Sequence, residues 1–380
     1  MSAATTAPSP AAPEPVTALR VGVRIPPFQR VDRLVDVAVE AERAGFDEVW
    51  FPDSQLLWRD VFCVLTVAAM RTERIALGTA VTNVVTRHPT VIASAIRTVA
   101  ELATGRIRLG LGVGNSSLVP IGLRPSTQQQ MRDAVRMIRG LLAGEELAFG
   151  DLTARLRDPV SDVRLHMAAT GPRNLRLAGE IADGVILLSG VAPAGLDRAT
   201  GLVRAGVAAS GRTTEQVALT VSAYCHVSDD VERDAVRLKP ICAAIAQNGG
   251  GEFLRSAGID LQVPVHVPEV YPDFVHAEDW PAAVRIAGQW VSDADAARFA
   301  DAFCLFGTAE DIVARLLDAR SHGATSVLLQ HVGSYDAPSE VMRDVAEQVL
   351  PSLAAAAEGQ NTVAPADPST GPVPRASASR

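Results

Sequence analysis

Short apolar runs alternate with amphipathic segments eight times along this sequence, and no other feature constrains the fold as strongly. The first run, Leu19–Ile25, precedes a helical pattern over Val31–Ala44, which ends at Gly45. The last run, Ser326–Gln330, precedes a helical pattern over Ser339–Ala355. A repeated strand–helix order predicts a parallel sheet, and eight such units predict an α/β fold closed into a (β/α)8 barrel.

An open, doubly wound parallel sheet is the alternative that the same order of elements allows. Such sheets often bind dinucleotides through a Gly-x-Gly-x-x-Gly turn, and the fourth apolar run contains Gly110, Gly112 and Gly114. Ser117 occupies the place of the last glycine in that pattern, so the dinucleotide fingerprint is incomplete. The glycines instead predict a strand end at which a ligand can approach the backbone.

Three segments depart from the repeated pattern. Residues 1–17 and 357–380 are rich in Ala, Pro, Ser and Thr, a composition typical of disordered segments. We therefore predict a disordered leader over 1–17, which does not resemble a signal peptide, and a disordered tail over 357–380. Residues 18–356 form the predicted barrel domain. Within it, residues from about 229 to 302 lack a clear strand and hold helical runs such as Val231–Ala246. We expect this insertion, which follows strand seven, to cover the barrel mouth.

Composition argues against several kinds of partner. A net charge of −8 and a pI of about 5.4 give no basic surface for nucleic acid or an anionic membrane. No apolar run reaches the roughly 18–20 residues that a membrane span needs. The cysteines Cys63, Cys225, Cys242 and Cys304 lack C-x-x-C spacing and lie in apolar contexts, so they predict free thiols in a reducing cytoplasm.

Polar side chains follow the second and third predicted strands, at the edge where α/β proteins bind ligands. Asp53 follows the second strand, where a carboxylate either binds a ligand or caps the next helix. The loop after the third strand is the richest, with hydroxyl, amide, guanidinium and imidazole groups on Thr79, Thr82, Asn83, Arg87 and His88. Together these side chains favour a ligand site over a loop that only connects two elements.

Two later loops add to this edge. After the fourth strand, the glycines are followed by three hydrogen-bonding residues, Asn115, Ser116 and Ser117. After the fifth strand, Thr170-Gly171-Pro172-Arg173 opens a helix, where backbone amides and the adjacent cation form a ready phosphate site. A helix that begins at a proline without any ligand gives the same pattern, so both interpretations stand.

The sequence offers no obvious metal site or nucleophile. His266, Glu269, Asp273 and His276 share one loop, but its prolines preclude regular ligand spacing, and we predict no metal there. The sequence contains neither a Gly-x-Ser-x-Gly elbow nor a phosphate-binding P-loop. Chemistry at the predicted edge would therefore come from a bound cofactor acting on a small molecule.

Eight segments form a recognisable order along the chain: Glu42–Trp50, Leu77–Asn83, Thr86–Pro89, Thr104–Arg106, Leu109–Gly114, Gly171–Arg173, Ala178–Val185 and Phe306–Glu310. This order resembles the bacterial luciferase-like flavin and deazaflavin oxidoreductases, over about Val21 to Leu353. Within that superfamily the sequence is most similar to methylenetetrahydromethanopterin reductase, which uses coenzyme F420.

The resemblance implies a luciferase-like (β/α)8 barrel that holds coenzyme F420, or alternatively FMN, in its mouth. It implies a bulge after Thr79, with a cis peptide bond between Ala80 and Val81 behind the cofactor ring. It places Asp53 and Asn83 at the polar ring edge and the ribityl chain. The resemblance also implies that Gly112 and Gly114 contact the cofactor through their backbone. It implies that Thr170, Gly171, Pro172 and Arg173 bind the cofactor phosphate.

Three positions depart from the pattern of these relatives. Arg24 stands where the methanopterin reductases carry an acid on the first strand, Asn115 where we expect an aspartate, and Ser54 where a histidine is usual. We predict Arg24 and Asn115 as catalytic residues. Because a guanidinium binds carboxylates and carbonyl oxygens, Arg24 favours an anionic or carbonyl-bearing substrate.

The resemblance thus implies an F420-dependent oxidoreductase that transfers a hydride to or from a small organic substrate. A reduced-FMN monooxygenase that uses O2 is the second hypothesis, and a non-catalytic barrel homologue is the third. A homodimer is expected from the resemblance.

Overall fold

The computed structural model describes residues 18–160, 162–333 and 335–361. The predicted disordered leader lies outside these residues. The last helix runs to Asn361, so it overlaps the start of the predicted tail, and the remainder of that tail lies outside the described residues. Within the described ranges, no helix is both long and apolar enough to cross a membrane.

Eight parallel strands form a closed barrel. The strands are β1 (Arg20–Arg24), β2 (Glu48–Phe51), β3 (Ala76–Thr79), β4 (Ile107–Gly112), β5 (Arg164–Ala169), β6 (Gly184–Leu187), β7 (Ala218–Val227) and β8 (Ser326–Gln330). Each strand pairs with the next, and β8 pairs with β1 with Val327 opposite Val21. The predicted (β/α)8 barrel is confirmed, and the open sheet is excluded because the ring closes.

Helices cover the outside of the barrel. They are α1 (Val31–Arg43), α2 (Val61–Arg71), α3 (Pro89–Leu102), α4 (Gln128–Leu142), α5 (Gly171–Ile181), α6 (Pro193–Ala209), α7 (Ala309–Ser321) and α8, which consists of Ser339–Asp344, Val345–Val349 and Leu350–Asn361. Capping hydrogen bonds mark where some of these helices begin. At α7, Thr308 Oγ1 accepts from Asp311 N–H, and the Asp311 carboxylate accepts from Thr308 N–H. Short 3-10 turns occur at Val119–Ile121 and Thr214–Gln216.

Side chains fill the middle of the barrel. Glu48 accepts hydrogen bonds from Trp50 Nε1 (2.9 Å) and Ser326 Oγ (2.9 Å), and it pairs with Arg20 (Nε–Oε1 3.0 Å). The Trp50 indole is fully buried. A Cβ at Gly78 would lie 2.5 Å from Trp50 Cε3, so the glycine makes room for the indole. These contacts form a packed layer between the two ends of the barrel.

The predicted insertion lies between β7 and β8 and has a hydrophobic core of its own. Aromatic residues dominate this core, among them Phe274, Phe299 and Phe303. A short strand, Leu305–Gly307, pairs with β7 at the end of the insertion. Its helical segments are Val231–Ala235, Val236–Leu238, Lys239–Gln247, Gly251–Arg255, Trp280–Ala287 and Asp293–Phe303.

The helices of the insertion differ from the sequence pattern in two respects. The helical run predicted around Val231–Ala246 is present as three segments, because a 3-10 turn at Val236–Leu238 lies between two α-helices just before Pro240. Pro240 provides no backbone N–H, so it suits the first turn of the next helix. The helix Asp293–Phe303 was not predicted, although the Ser292 hydroxyl accepts from Asp295 N–H (3.1 Å) as an N-cap.

A β-hairpin lies in the stretch 143–162, which the sequence pattern predicts as loop. Its strands, Leu147–Phe149 and Leu152–Ala154, have three residues each and bury little surface. Strands this short lack the alternating apolar pattern by which a longer strand is recognised. A two-residue strand, Thr82–Asn83, likewise pairs with β4 inside the predicted polar loop.

Candidate active site at the barrel mouth

Asp53 follows β2 and lies at the centre of a buried hydrogen-bond network. Its Oδ2 accepts from Thr82 Oγ1 (2.7 Å) and Arg87 Nε (2.9 Å), and its Oδ1 accepts from Arg87 Nη2 (3.2 Å). Arg87 also donates to Asp60 (Nη2–Oδ2 2.8 Å), and although burial lowers its pKa, the two carboxylates raise it overall. Asp53 therefore fixes the loop after β3 against β2. Its contact with a cofactor ring stays a prediction.

The chain leaves β3 through a cis peptide bond between Ala80 and Val81, as the resemblance implies. Two glycines of β4 make space for this bulge: a Cβ at Gly110 would lie 2.0 Å from Thr79 O, and one at Gly112 would lie 2.5 Å from Val81 Cγ2. The Thr79 hydroxyl donates to Gly110 O (2.7 Å) and accepts from Gly110 N–H (2.9 Å). Any ligand contact of Thr79 therefore goes through its backbone.

Asn83 joins the loops after β3 and β4. Its Oδ1 accepts from the N–H groups of Val85 (3.0 Å) and Thr86 (2.9 Å), and its Nδ2 donates to Thr86 Oγ1 (3.0 Å) and Ser117 Oγ (3.0 Å). The side chain is almost fully buried. A buried amide whose donors and acceptor all have partners serves first to hold the loops in register. The predicted contact with the ribityl chain stays a prediction.

The loop after β4 brings two of the sequence departures close together. Ser116 Oγ lies 2.6 Å from Ser54 Oγ, next to the exposed Asn115. Gly114 has a φ of +87°, and a Cβ there would lie 2.5 Å from Leu118 Cδ1, so the turn requires glycine. The structure places Asn115 at the rim of the mouth, and its predicted catalytic role stays a prediction.

The start of α5 fits an anionic group. Thr170, Gly171, Pro172 and Arg173 are all exposed, and Gly171 has a φ of +69°. The Thr170 side chain makes no capping hydrogen bond, so the first N–H groups of α5 remain available. Open amides at a helix start, beside an arginine, are features that phosphate sites use, and the phosphate contact itself stays a prediction.

Arg24, at the end of β1, belongs to a second polar group at the mouth. Its guanidinium carbon lies 5.4 Å from the ring centroid of Trp58. Burial lowers the pKa of Arg24 and raises that of Tyr224, on β7, to about 12. Burial and the Arg24 charge lower the pKa of His331, after β8, to about 4. At neutral pH this group therefore presents a cation, a protonated phenol and a neutral imidazole.

Tyr224 and His331 are absent from the predicted site. The signal that could have revealed them is position, because both lie at the carboxyl end of a barrel strand. Tyr224 is hidden within a long apolar strand, and His331 directly follows one, so neither lies in a conspicuous polar loop.

The insertion contacts this second polar group. His276 packs edge-on against Trp58, with ring centroids 5.3 Å apart, and its Nδ1 lies 2.9 Å from both carboxylate oxygens of Asp273. Burial raises the pKa of Asp273, but its hydrogen bonds with His276 lower it overall. The insertion therefore contacts the mouth beside Trp58, and its role as a cover stays a prediction. In the part of the chain that the structure describes, no three His, Cys, Asp or Glu residues are grouped to hold a metal.

Acidification is expected to destabilise the protein partly through His331. Its folded-state pKa of about 4 lies below the ordinary value of 6.5, so the unfolded chain binds a proton that the folded chain excludes. Stability should therefore fall as pH drops from about 6.5 to about 4, by about 3 kcal/mol from this group. Urea unfolding at several pH values should show that the free energy of unfolding falls less steeply with acidification in His331→Gln than in wild type. Exposed His266→Gln is the control, and equal pH slopes for His331→Gln and wild type would contradict the assignment.

Comparisons with known proteins agree with this geometry. A sequence model described as luciferase-like monooxygenase matches residues 5–326. The 5,10-methylenetetrahydromethanopterin reductase of Methanolobus tindarius is 33% identical over 319 residues, covering 81% of this chain and 92% of the relative. The F420-dependent glucose-6-phosphate dehydrogenase of Nakamurella multipartita is 35% identical over 221 residues, covering 53% and 65%. The coenzyme F420 dependent tetrahydromethanopterin reductase from Methanopyrus kandleri has a similar structure, with a TM-score of 0.72 at 23% identity, covering 88% and 99%.

The fold and the site define a (β/α)8-barrel oxidoreductase with its polar groups at the carboxyl ends of the strands. The chain belongs to the luciferase-like monooxygenase family. The predicted family, fold class and oxidoreductase class are therefore confirmed. The likeness to the Methanopyrus structure, at 23% identity, supports the fold alone.

Proposed function

We propose that this protein is a coenzyme F420-dependent oxidoreductase that exchanges a hydride with a small organic substrate. The observation that carries the proposal is the polar edge at the barrel mouth, where Gly110 and Gly112 leave space for the loop after β3 beside the buried network of Asp53. Its two cited sequence relatives are a methylenetetrahydromethanopterin reductase and an F420-dependent dehydrogenase. Coenzyme F420, when bound, supplies a deazaflavin ring that accepts or donates the hydride.

The residues at the mouth fit such a cofactor. The bulge backbone from Thr79 to Val81 would support the ring, and the strand-end glycines Gly112 and Gly114 would let it approach the β4 loop. The exposed start of α5 and Arg173 would hold the phosphate. Asp53 and Asn83 would act mainly by fixing the loops around the ring, because most of their polar atoms already bind neighbouring residues.

The second polar group suits a substrate with a carbonyl or a negative charge. Arg24 would bind and polarise the substrate oxygen, stabilising charge that develops on it. Tyr224 stays protonated because burial raises its pKa to about 12, so its hydroxyl can donate a hydrogen bond or a proton to the same oxygen. The insertion would exclude water above this pair. Asn115, at the rim, would contact the outer part of the substrate.

Two further features belong to the same proposal. A cytoplasmic location is supported by Cys63, Cys225, Cys242 and Cys304, which are free thiols. A homodimer is proposed from family resemblance.

Cofactor choice is the first test. Purified protein should quench F420 fluorescence at micromolar concentrations and bind FMN at least about tenfold more weakly. Gly112→Ala would push Val81 out of the bulge and should weaken F420 binding by about tenfold or more. Gly201→Ala, on α6 with open space around it, is the matched control and should bind as wild type.

The outcomes of that titration separate the hypotheses. Preferred binding of FMN would replace the proposal with a reduced-FMN monooxygenase, and oxygen uptake would be the next assay. Binding of neither cofactor would favour the non-catalytic homologue. If F420 binds, oxidation of the reduced cofactor by keto acids and by their neutral esters tests the substrate class. Arg24→Gln should remove the preference for keto acids while leaving F420 binding unchanged, and exposed Arg33→Gln is its control.

A further inference from the structure

A second cavity lies at the opposite end of the barrel, away from the proposed cofactor site. Its volume is about 590 Å³, within the range of small-molecule pockets. It opens among the amino-terminal ends of the strands, where Arg20, Arg164 and Ala218 are the first residues of β1, β5 and β7. The packed layer around Trp50 separates it from the mouth. The proposed function makes no use of this cavity.

The cavity is lined by more positive than negative side chains. Four arginines, Arg20, Arg108, Arg164 and Arg204, line it, against two acids, Asp183 and Glu215. Asp183 is already engaged, because its Oδ1 pairs with Arg139 (2.7 Å) and its Oδ2 accepts from Leu165 N–H (2.9 Å).

These arginines also have contacts within the chain. Arg20 pairs with Glu48, and Arg108 donates to the carbonyl of Gly105 (Nη1–O 3.1 Å). Their positive charge nevertheless faces one concave space, where it is screened less than on a flat surface.

His166 provides an independent indication of a ligand. Its side chain lines the cavity, it is only 2% exposed, and neither ring nitrogen has a hydrogen-bond partner. The ring packs edge-on against Trp50 (centroids 5.3 Å apart), and a Cβ at Gly184 would lie 2.3 Å from its Cε1. Burial, together with the charges of Arg108 and Arg20, lowers its pKa well below the ordinary value. A neutral imidazole without partners offers one donor and one acceptor to a ligand.

We propose that this cavity binds a small anion carrying phosphate or carboxylate groups. Arginine side chains match the geometry of both groups, and the His166 ring supplies a donor at the inner end of the cavity. The occupant is a small molecule, since the cavity volume is about 590 Å³ and His166 in its inner wall is almost fully buried. The site is separate from the phosphate site proposed at α5.

Calorimetric titration of the full chain, without F420 and at constant ionic strength, tests this proposal. Inorganic phosphate and citrate are the probes, and the one that binds more tightly shows whether phosphate or carboxylate is preferred. Arg164→Gln should weaken binding by about tenfold or more. Arg204→Gln, on the exposed face of α6, should act in the same direction and guards against misfolding of the first variant. Exposed Arg136→Gln, on α4, should bind as wild type.

Three results would overturn the proposal. The first is no saturable binding of either probe up to roughly 20 mM, a concentration above which binding is too weak to be specific. The second is unchanged affinity in both Arg164→Gln and Arg204→Gln. The third is loss of binding in Arg173→Gln instead, which would place the anion at the barrel mouth.

Discussion

Gly110→Ala is expected to destabilise the protein by at least about 3 kcal/mol. The added methyl group would lie 2.0 Å from Thr79 O and 3.3 Å from Val81 Cγ1, so β3 and β4 could not keep their present separation. The nearer obstacle is the backbone of β3, which cannot rotate away as the Val81 side chain in the bulge can. The hydrogen bonds between Gly110 and Thr79 would be lost as the strands part. Urea unfolding followed by tryptophan fluorescence measures the change.

Gly201→Ala is the matched control for this substitution. Gly201 lies within α6, and no atom lies within 4 Å of an added Cβ. Alanine there should stabilise the protein by about 0.5–1 kcal/mol, since it restricts the unfolded chain and favours the helix. Similar unfolding midpoints for the two variants would show that the tight contact between β3 and β4 does not exist in solution.

Asp53→Asn is expected to cost about 3 kcal/mol, the second large effect. The asparagine keeps nearly the same shape but removes the charge that faces Arg87, and its Nδ2 would face donors of the guanidinium. Arg87 would retain Asp60, so its charge would be only partly compensated. A half-buried cation that loses one partner is costly because water replaces the lost acceptor only in part.

An exposed ion pair provides the comparison for Asp53. Asp32 pairs with Arg30 (Oδ1–Nε 3.2 Å), but both side chains are largely exposed to solvent. Asp32→Asn should therefore change the free energy of unfolding much less than Asp53→Asn does. If Asp53→Asn is as mild as Asp32→Asn, the network around Arg87 does not anchor the loop after β3.

The strand–helix order of the barrel is readable from sequence because it depends on local patterns. The strands Ile107–Gly112 and Ser326–Gln330 have their predicted limits, since each is a short, mainly apolar segment that is almost entirely buried. The insertion is less readable. Its helices pack on one another around Phe274 and Phe299, so their limits depend on tertiary contacts that no local pattern records.

The residues of the candidate site also differ in how far the sequence reveals them. Asp53 and the loop after β3 are conspicuous in the sequence because several polar residues stand together. Tyr224 and His331 come from strands far apart in the chain and become neighbours of Arg24 only when the barrel closes. Sequence also fails to show that the Asn83 amide is already occupied by Thr86 and Ser117, because that depends on two loops meeting.

The separate core of the insertion has a consequence for how such a protein can diversify. Its aromatic residues pack mainly on one another, while the bulge and the glycines behind it belong to the first half of the barrel. The proposed cofactor contacts lie mainly on the barrel, while the insertion would complete the substrate pocket around Arg24 and Tyr224, so the insertion could change without loss of the cofactor site. Transplanting residues 229–302 between relatives is therefore the natural engineering step for changing substrate preference.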